Sequence, residues 1–268
     1  MIEPTSSAST FPSPLARMRP PYQTLEPVSP ERGLPPVRPV PAGEALVWFM
    51  AGGDWERCFQ LARSRAPGVA LIVILPPAPQ SESDQERILR TVERCHPHSV
   101  LPHHPDPDLE ELELVLRRPS AYPQDDIVEY LGWRGLRITQ EMRELIRRVL
   151  ELSSEIGSVS ALARGVFISR RALGRRFLSA GLPVPSHWLQ MGRLMRIVGV
   201  IQAEPTSLFN AGTALGYSDG FAVSNQMVRL TGVRPSKVRT HLGWEWVLEA
   251  WLRREAENGG FSPTNARI

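Results

Sequence analysis

Four arginines fall within seven positions of one another, at Arg170, Arg171, Arg175 and Arg176. A guanidinium is permanently charged and donates in a planar fork, so it can hold two acceptors of a phosphate or of a guanine edge. Leu173 and Phe177 lie between them, four positions apart, which predicts a helix with one buried stripe. Gly174 leaves room for the close approach of another molecule. We therefore predict an arginine-rich helix over Arg170–Ala180, ended by Gly181.

A second helix about fifty residues later has a different outer face. Asp219 can cap its first turn, because a carboxylate accepts from the free backbone N–H groups there. Val223, Met227 and Leu230 recur at i, i+4 and i+7 and predict its buried stripe. Together, the outer faces of the two helices supply the candidate DNA-contacting residues: Arg170, Arg171, Gly174, Arg175, Gly220, Phe221, Ser224, Asn225 and Arg229.

A short helix is predicted before each of these two helices. The first begins near Ser158, and the second covers Ser207 to Leu215. A short helix set at an angle to a second helix is the geometry that places the second one in a DNA major groove. A long helix from a cap at Ser186 to about Gln202 is predicted to join the two pairs. The pattern therefore predicts two helix-turn-helix units in an all-α C-terminal domain.

Residues 137–242 resemble the DNA-binding domain of the AraC/XylS family of bacterial transcription regulators. The matching residues are Leu162-Ala163, Ser169, Leu173, Arg175, Phe177, Trp188-Leu189, Arg193, Gly216-Tyr217-Ser218-Asp219, Thr231-Gly232-Val233-Arg234-Pro235-Ser236 and Arg239. The resemblance implies a seven-helix domain that places two recognition helices in successive major grooves of one DNA face. Two departures stand out. Phe167 lies where the family's first turn usually has glycine, and Ala211-Gly212 replaces a usual Ile-Ala.

The charge distribution supports a polyanionic partner independently of this resemblance. Residues 158–242 contain eleven basic and two acidic residues, a net charge of +9, whereas the whole chain carries +3. A basic block within an otherwise acidic chain is typical of phosphate binding. Double-stranded DNA is therefore the predicted partner, with RNA polymerase as a further candidate. A solvated, arginine-rich surface without a ligand is the competing interpretation.

Cys95 and four histidines (His96, His98, His103 and His104) lie within ten positions. Thiolate and imidazole ligands at this density could bind zinc or copper. Two prolines interrupt the cluster and a third, Pro105, follows it; the cluster contains no Cys-x-x-Cys or helical His-x-x-x-His. A surface loop around a short strand is therefore the favoured interpretation, without a metal.

Catalytic signals are weak throughout the chain. Gly52-Gly53-Asp54 could cradle a phosphate at a helix N-terminus, but no lysine accompanies it. No set of nucleophile, base and acid with suitable spacing stands out. We predict no catalytic residues, no cofactor and no enzymatic activity.

An N-terminal α/β module is predicted over residues 44–122. Apolar runs at Ala45–Met50, Val69–Leu75 and Ser99–Leu101 alternate with helical segments, which predicts a small parallel sheet. The module faintly resembles a truncated, degenerate response-regulator receiver. It lacks the acceptor aspartate after the third strand, because Leu101 is followed by Pro102. A sensor or homodimerisation module without phosphotransfer is therefore expected.

The remaining segments complete the predicted layout. Residues 1–43 contain eleven prolines and are predicted to be a disordered tail. Residues 123–137 are a connector, residues 138–254 the DNA-binding domain and residues 255–268 a second disordered tail. No long apolar run, no signal-peptide pattern and no disulfide framework stand out, so a cytoplasmic protein without membrane association is expected. The alternative function is a protein-interaction module whose DNA-binding fold no longer reads DNA.

Overall fold

A computed structural model describes residues 13–29, 42–50, 54–77, 81–104, 106–262 and 265. The chain forms two compact units, one of residues 1–65 and 69–116 and the other of residues 66–68 and 117–268. Among the described residues, no helix combines the length and apolar character needed to cross a membrane. The expected combination of an N-terminal α/β unit and a mostly helical C-terminal unit is confirmed.

The N-terminal unit is built on one mixed sheet in the order β2-β1-β3-β4-β5. The strands are β1 (Leu15–Met18), β2 (Leu25–Pro27), β3 (Ala45–Phe49), β4 (Ala70–Ile74) and β5 (Ser99–Leu101). The last three strands are parallel to one another. All five residues of β3 are buried, as expected for the continuous apolar run of a parallel strand. The three strands predicted from apolar runs are confirmed.

Three helices accompany this sheet: α1 (Trp55–Ser64), α2 (Glu82–Cys95) and α3 (Leu109–Leu116). Asp54 caps α1 by accepting from the backbone N–H of Arg57, and Ser81 caps α2 by accepting from that of Asp84. The side chain of Arg65 donates to the carbonyl oxygens of Ala62 and Cys95, near the ends of α1 and α2. These bonds satisfy backbone acceptors that a helix leaves unpaired at its C-terminal end.

Two expectations for the N-terminal half are wrong. The sheet is not purely parallel, because β1 runs antiparallel to both of its neighbours, β2 and β3. Its parallel strands also follow one another consecutively, unlike the 2-1-3-4-5 order typical of receivers. The predicted disordered tail does not hold for residues 13–29, which contribute β1 and β2. The rest of that tail, apart from residues 42–43, lies outside the described residues.

The C-terminal unit contains a bundle of nine helices among its described residues. They are α4 (Pro123–Trp133), α5 (Gln140–Leu152), α6 (Val159–Gly165), α7 (Arg170–Ser179), α8 (Pro185–Ala203), α9 (Leu208–Thr213), α10 (Gly220–Thr231), α11 (Pro235–Thr240) and α12 (Glu245–Glu257). Helix α8 packs against every other helix in this set, which makes it the axis of the unit. Its buried face includes Trp188, Leu194 and Val198.

A buried polar triad links the first and last helices of this bundle. Glu249 on α12 accepts from the Tyr130 hydroxyl of α4 at 2.8 Å and from Arg134 Nε at 2.6 Å. The segment expected to be a connector, residues 123–137, contains α4, which packs in the bundle against α5 and α8. Burial of Tyr130, together with the neighbouring Glu249 carboxylate, raises the pKa of its hydroxyl.

Two further boundaries differ from expectation. Helix α8 begins at Pro185 with Val184 at its cap position, rather than with a cap at Ser186. Proline suits the first helical position because the N–H that it lacks would have no helical partner there. The predicted tail after residue 254 is also partly ordered, since α12 continues to Glu257. Beyond it, Phe261 is buried and the Asn265 side chain accepts from the backbone N–H of Arg137.

Candidate nucleic-acid interface

Two helix pairs in the C-terminal unit are built alike, α6 with α7 and α9 with α10. The first helix of each pair starts with a serine cap. Ser158 accepts from the backbone N–H of Ala161 at 3.2 Å, and Ser207 accepts from that of Asn210 at 3.1 Å. The two caps lie 49 residues apart in the chain. The first helices of the two pairs are therefore equivalent under a shift of 49 positions.

The turns that follow these first helices have matching hydrogen bonds. In the first pair, Phe167 N–H donates to the carbonyl of Arg164, and Ile168 N–H donates to that of Ala163. In the second pair, Gly216 and Tyr217 make the corresponding bonds to Thr213 and Gly212. Phe167 and Gly216 both have a positive φ, of 57° and 75°. The turn therefore needs a left-handed residue, which explains why glycine suits this position.

The second helix of each pair is also capped at an equivalent position. Ser169 accepts from the backbone N–H of Ala172 at 3.1 Å, and Asp219 accepts from that of Ala222 at 2.7 Å. The hydrogen bond from Ala222 holds the pKa of the Asp219 carboxyl below its usual range. The predicted caps Ser169 and Asp219 are confirmed. From here onward the equivalence continues at a shift of 50, because the second turn is one residue longer.

The buried stripes of α7 and α10 determine which faces point outward. Leu173 and Phe177 are fully buried on α7, and Val223 and Met227 are fully buried at the equivalent positions of α10. Phe177 packs on Trp188 of α8, with the ring centroids 6.3 Å apart. Trp188 in turn meets the Trp251 ring of α12 edge-on at 4.8 Å. Helix α7 is thus held by an aromatic stack that runs through the bundle.

With these stripes buried, the predicted contact residues lie at equivalent places on the two helices. The shift of 50 pairs Arg170 with Gly220, Arg171 with Phe221, Gly174 with Ser224, and Arg175 with Asn225. Arg170, Arg171 and Arg175 are exposed on α7, as are Phe221 and Asn225 on α10. The third and fourth pairs lie three and four positions after the second, so each helix presents one continuous outer face.

The outer face of α7 carries arginine side chains that have no partner among the described residues. The side chains of Arg170, Arg171 and Arg175 make no hydrogen bond or ion pair with any residue that the structure describes. Arg176, one position further, instead pairs with Glu141 at 3.1 Å. A Cβ placed on Gly174 would meet no atom within 4 Å, so the space above the helix is open. Three guanidinium groups around an open glycine form a surface suited to a polyanion.

The α10 face is largely uncharged. Phe221 is 80% exposed in its first turn, and Phe209 of α9 is 55% exposed. A Cβ on Gly220 would lie only 3.2 Å from the backbone nitrogen of Phe209. The absence of a side chain at Gly220 therefore lets the starts of α9 and α10 lie close together. Arg229, in the last turn, donates to Gln190 of α8 at 3.0 Å, so one of its N–H groups is used internally.

Several other basic residues of this segment are structural. The Arg193 guanidinium donates to the carbonyl of Leu215 and stacks on the Tyr217 ring at 4.5 Å, which fixes the turn before α10. Arg196 donates to the carbonyls of Leu150 and Glu151 at the end of α5. Arg239 donates to the carbonyl of Thr206 at 2.5 Å. These side chains contribute to the positive field, and each uses at least one donor within the fold.

Two exposed arginines of this segment lie outside the predicted set. Arg164 lies in the last turn of α6, and Arg234 precedes α11. Neither guanidinium group bonds to a side chain or backbone group within the described part of the chain. The charge count included both residues, but helical patterning alone did not single them out. Their exposure marks them as further candidate phosphate contacts.

The cysteine and histidine cluster has no metal-binding geometry. Within the described ranges, no three His, Cys, Asp or Glu side chains are placed to hold an ion. Cys95 is buried, and burial raises the pKa of its thiol. His98 Nε2 lies 3.0 Å from the carbonyl oxygen of Val115. The possible phosphate cradle at Gly52-Gly53 lies outside the described residues.

The exposed faces of α7 and α10, with Arg164 and Arg234, are therefore the candidate site. Comparisons with protein-family models, with curated proteins and with solved structures give no match.

Proposed function

We propose that this protein is a sequence-specific DNA-binding transcription regulator of the AraC type, with a binding rather than a catalytic role. In this proposal α6–α7 and α9–α10 are helix-turn-helix units, and α7 and α10 enter successive major grooves. The observation that carries the proposal is the repeated helix pair: α6–α7 and α9–α10 have matching caps, turns and buried stripes, present equivalent outward faces, and both pack on α8. DNA is the natural ligand for such a repeat, because its major groove recurs along one face.

In this proposal, the linking helix sets the scale of the site. Helix α8 has 19 residues, which at 1.5 Å per residue gives a length of roughly 28 Å. Successive major grooves on one face of B-DNA are separated by roughly 34 Å. Both helix pairs pack on α8, which is buried on several sides. One protomer can then cover two grooves without a second copy.

Charge assigns different roles to the two units. The free arginines of α7 neutralise phosphates or donate to guanine, whereas Ser224 and Asn225 of α10 are uncharged. Salt dependence of DNA binding arises from neutralised phosphates, with a slope near −0.9 for each one in a log–log plot. The α6–α7 unit should therefore supply most of the affinity, and α9–α10 should supply base contacts and fit.

The experiment selects preferred duplexes from random DNA with the full chain, then measures binding by fluorescence anisotropy. Arg171→Ala and Arg175→Ala should each weaken binding by roughly 1–3 kcal/mol and relax the preference at one position. Arg253→Ala is the matched control, because Arg253 is an exposed helical arginine on α12 and its loss removes the same charge. The combined Ser224→Ala and Asn225→Ala change should weaken binding less and leave the salt slope nearly unchanged.

A protein-interaction module is the second candidate function. The observation that favours it is the exposed apolar surface of the first helix pair, where Phe167 is 93% and Leu178 is 75% exposed. Large exposed apolar side chains often mark protein contacts. On this alternative, selection would return no preferred sequence, and Arg253→Ala would reduce DNA binding as much as Arg171→Ala. That result would contradict DNA reading by α7.

A further inference from the structure

We propose that the two outer faces read different bases, α7 guanine and α10 an A·T segment, with Phe221 on a thymine methyl and Asn225 on adenine. This inference rests on the proposed DNA-binding function and adds the base composition of each half-site. It follows from the equivalence of the two helices, under which Arg171 corresponds to Phe221 and Arg175 to Asn225. Equivalent positions on equivalent helices should reach equivalent places in their grooves.

The apolar ring of Phe221 indicates which base this residue would contact. In the major groove the thymine 5-methyl is the one apolar group on a base edge, and phenylalanine is among the side chains that contact it. Phe221 lies in the first turn of α10, the part of a recognition helix that meets base edges. Its ring is 80% exposed, so the fold leaves it available to such a partner. An arginine at this place, as in α7, would instead favour guanine.

The start of α10 is fixed, which makes the position of Phe221 definite. Asp219 caps the helix through the N–H of Ala222, and Gly220 lies against Phe209 and Leu208 of α9. The turn before it is clamped by Arg193 on Tyr217. A side chain at the second position of a helix anchored in this way projects in a defined direction. A fixed direction of the Phe221 side chain would let it distinguish bases that differ by a single methyl group.

Asn225 completes the A·T reading one turn further along. Its side chain is exposed and makes no hydrogen bond with a described residue. Its side-chain NH2 group can donate to N7 of adenine while its carbonyl oxygen accepts from the N6 amino group. This bidentate pairing is typical of asparagine with adenine. Four residues of helix advance by about 6 Å. Phe221 and Asn225 therefore reach base pairs within about two steps of each other, since base pairs are roughly 3.4 Å apart.

The test uses the full chain and the duplex selected as preferred. Each thymine in turn is replaced by deoxyuridine, which keeps every hydrogen-bonding group and lacks the 5-methyl. Burial of one methyl against an aromatic ring predicts that one position weakens the parent protein about fourfold. Phe221→Ala should bind the thymine duplex about as weakly as the parent binds the deoxyuridine duplex, and should no longer distinguish the two. Tyr122→Ala, which removes an exposed aromatic side chain that precedes α4 and lies outside the candidate interface, should keep the parent's discrimination.

The outcomes separate this inference from the proposed function. If selection returns no preferred sequence, the proposed function fails and the inference falls with it. If a sequence is preferred but no thymine is sensitive, or if Phe221→Ala keeps the sensitivity, the base assignment alone is wrong. Because the Phe221 side chain is mostly exposed, Phe221→Ala should retain the parent melting temperature; Phe221→Leu, which keeps an apolar contact, should retain part of the discrimination.

Discussion

At the scale of single residues, Gly174 and Gly212 show how surroundings decide the effect of one substitution. A Cβ on Gly174 meets open space, whereas one on Gly212 would lie 2.4 Å from Val223 Cγ2. Gly174→Ala should stabilise the fold by up to about 1 kcal/mol, because alanine is the better helix former. Gly212→Ala should destabilise it by roughly 1–3 kcal/mol through overpacking. Urea unfolding of the two variants measures both effects.

The Gly174→Ala variant also separates an effect on stability from an effect on DNA affinity. If DNA approaches α7 closely at Gly174, the more stable Gly174→Ala variant should nevertheless bind the selected duplex less tightly than the parent. Unchanged affinity in that variant would show that no DNA surface comes close at this position. The missing side chain of Gly212 lets α9 and α10 pack together.

Phe167 gives a second prediction at this scale. Its φ of 57° is unfavourable for a residue with a side chain, and its ring gains little from burial at 93% exposure. A left-handed conformation costs roughly 1–2 kcal/mol, while glycine costs up to about 1 kcal/mol in unfolded-chain entropy. Phe167→Gly should therefore raise the free energy of unfolding by up to about 1 kcal/mol. Gly216→Ala, at the equivalent turn, should lower it. A destabilised Phe167→Gly variant would mean that the ring makes a stabilising contact.

Local interactions of this kind were predictable from the sequence. The caps Ser169 and Asp219 bond to groups three positions away, so residue type and spacing were sufficient. The roles of Arg193 and Arg196 were not predictable. Their partners, Leu215 and Leu150, lie 22 and 46 positions away in the chain, and only the folded bundle brings them together.

At the scale of elements, α8 and α12 are joined by a titratable pair. His187 Nδ1 lies 3.0 Å from the Glu255 carboxylate. This hydrogen bond raises the pKa of His187 above its usual range, against the effects of burial and of Arg229. The fold therefore favours the protonated ring. Its stabilisation is present below pH about 6.5, the ordinary histidine value, and is lost as the pH rises through the higher folded value.

Urea unfolding between about pH 5.5 and 8.5 tests this pair. The difference in stability between the parent and His187→Gln should be largest at the acidic end and should shrink as the pH rises. The parent and the variant have to be compared because burial lowers the pKa of His241. His241 therefore makes both proteins more stable as the pH rises, the opposite of the effect of His187. A difference that stays constant across this range would exclude the His187–Glu255 pair as its source.

Element prediction failed where pairing is non-local. The strands β3, β4 and β5 were predictable from continuous apolar runs. Strand β1 has only four residues in a proline-rich stretch, and its place between β2 and β3 depends on partners elsewhere in the chain. Composition alone therefore indicated a tail. Pro27 is compatible with β2 because that strand lies at the sheet edge, where a missing N–H is tolerated.

At the scale of the whole molecule, the basic charge is concentrated in one segment. Residues 158–242 carry +9 within a chain of +3. The structure divides that charge among free arginines on α7, internal clamps such as Arg193, and partly used side chains such as Arg229. The sequence could locate the basic block, but only the contacts distinguish arginines available to a ligand from those that hold the bundle together.

The central claim is that one protomer places α7 and α10 in successive grooves of one DNA face. Hydroxyl-radical footprinting of the full chain on its selected duplex tests this claim most directly. The expected result is two protected segments about one helical turn apart, roughly 34 Å, on the same face and with unrelated sequences. A single protected segment, or two identical segments in inverted orientation, would contradict the claim, because the first requires one reading helix and the second requires a symmetric dimer.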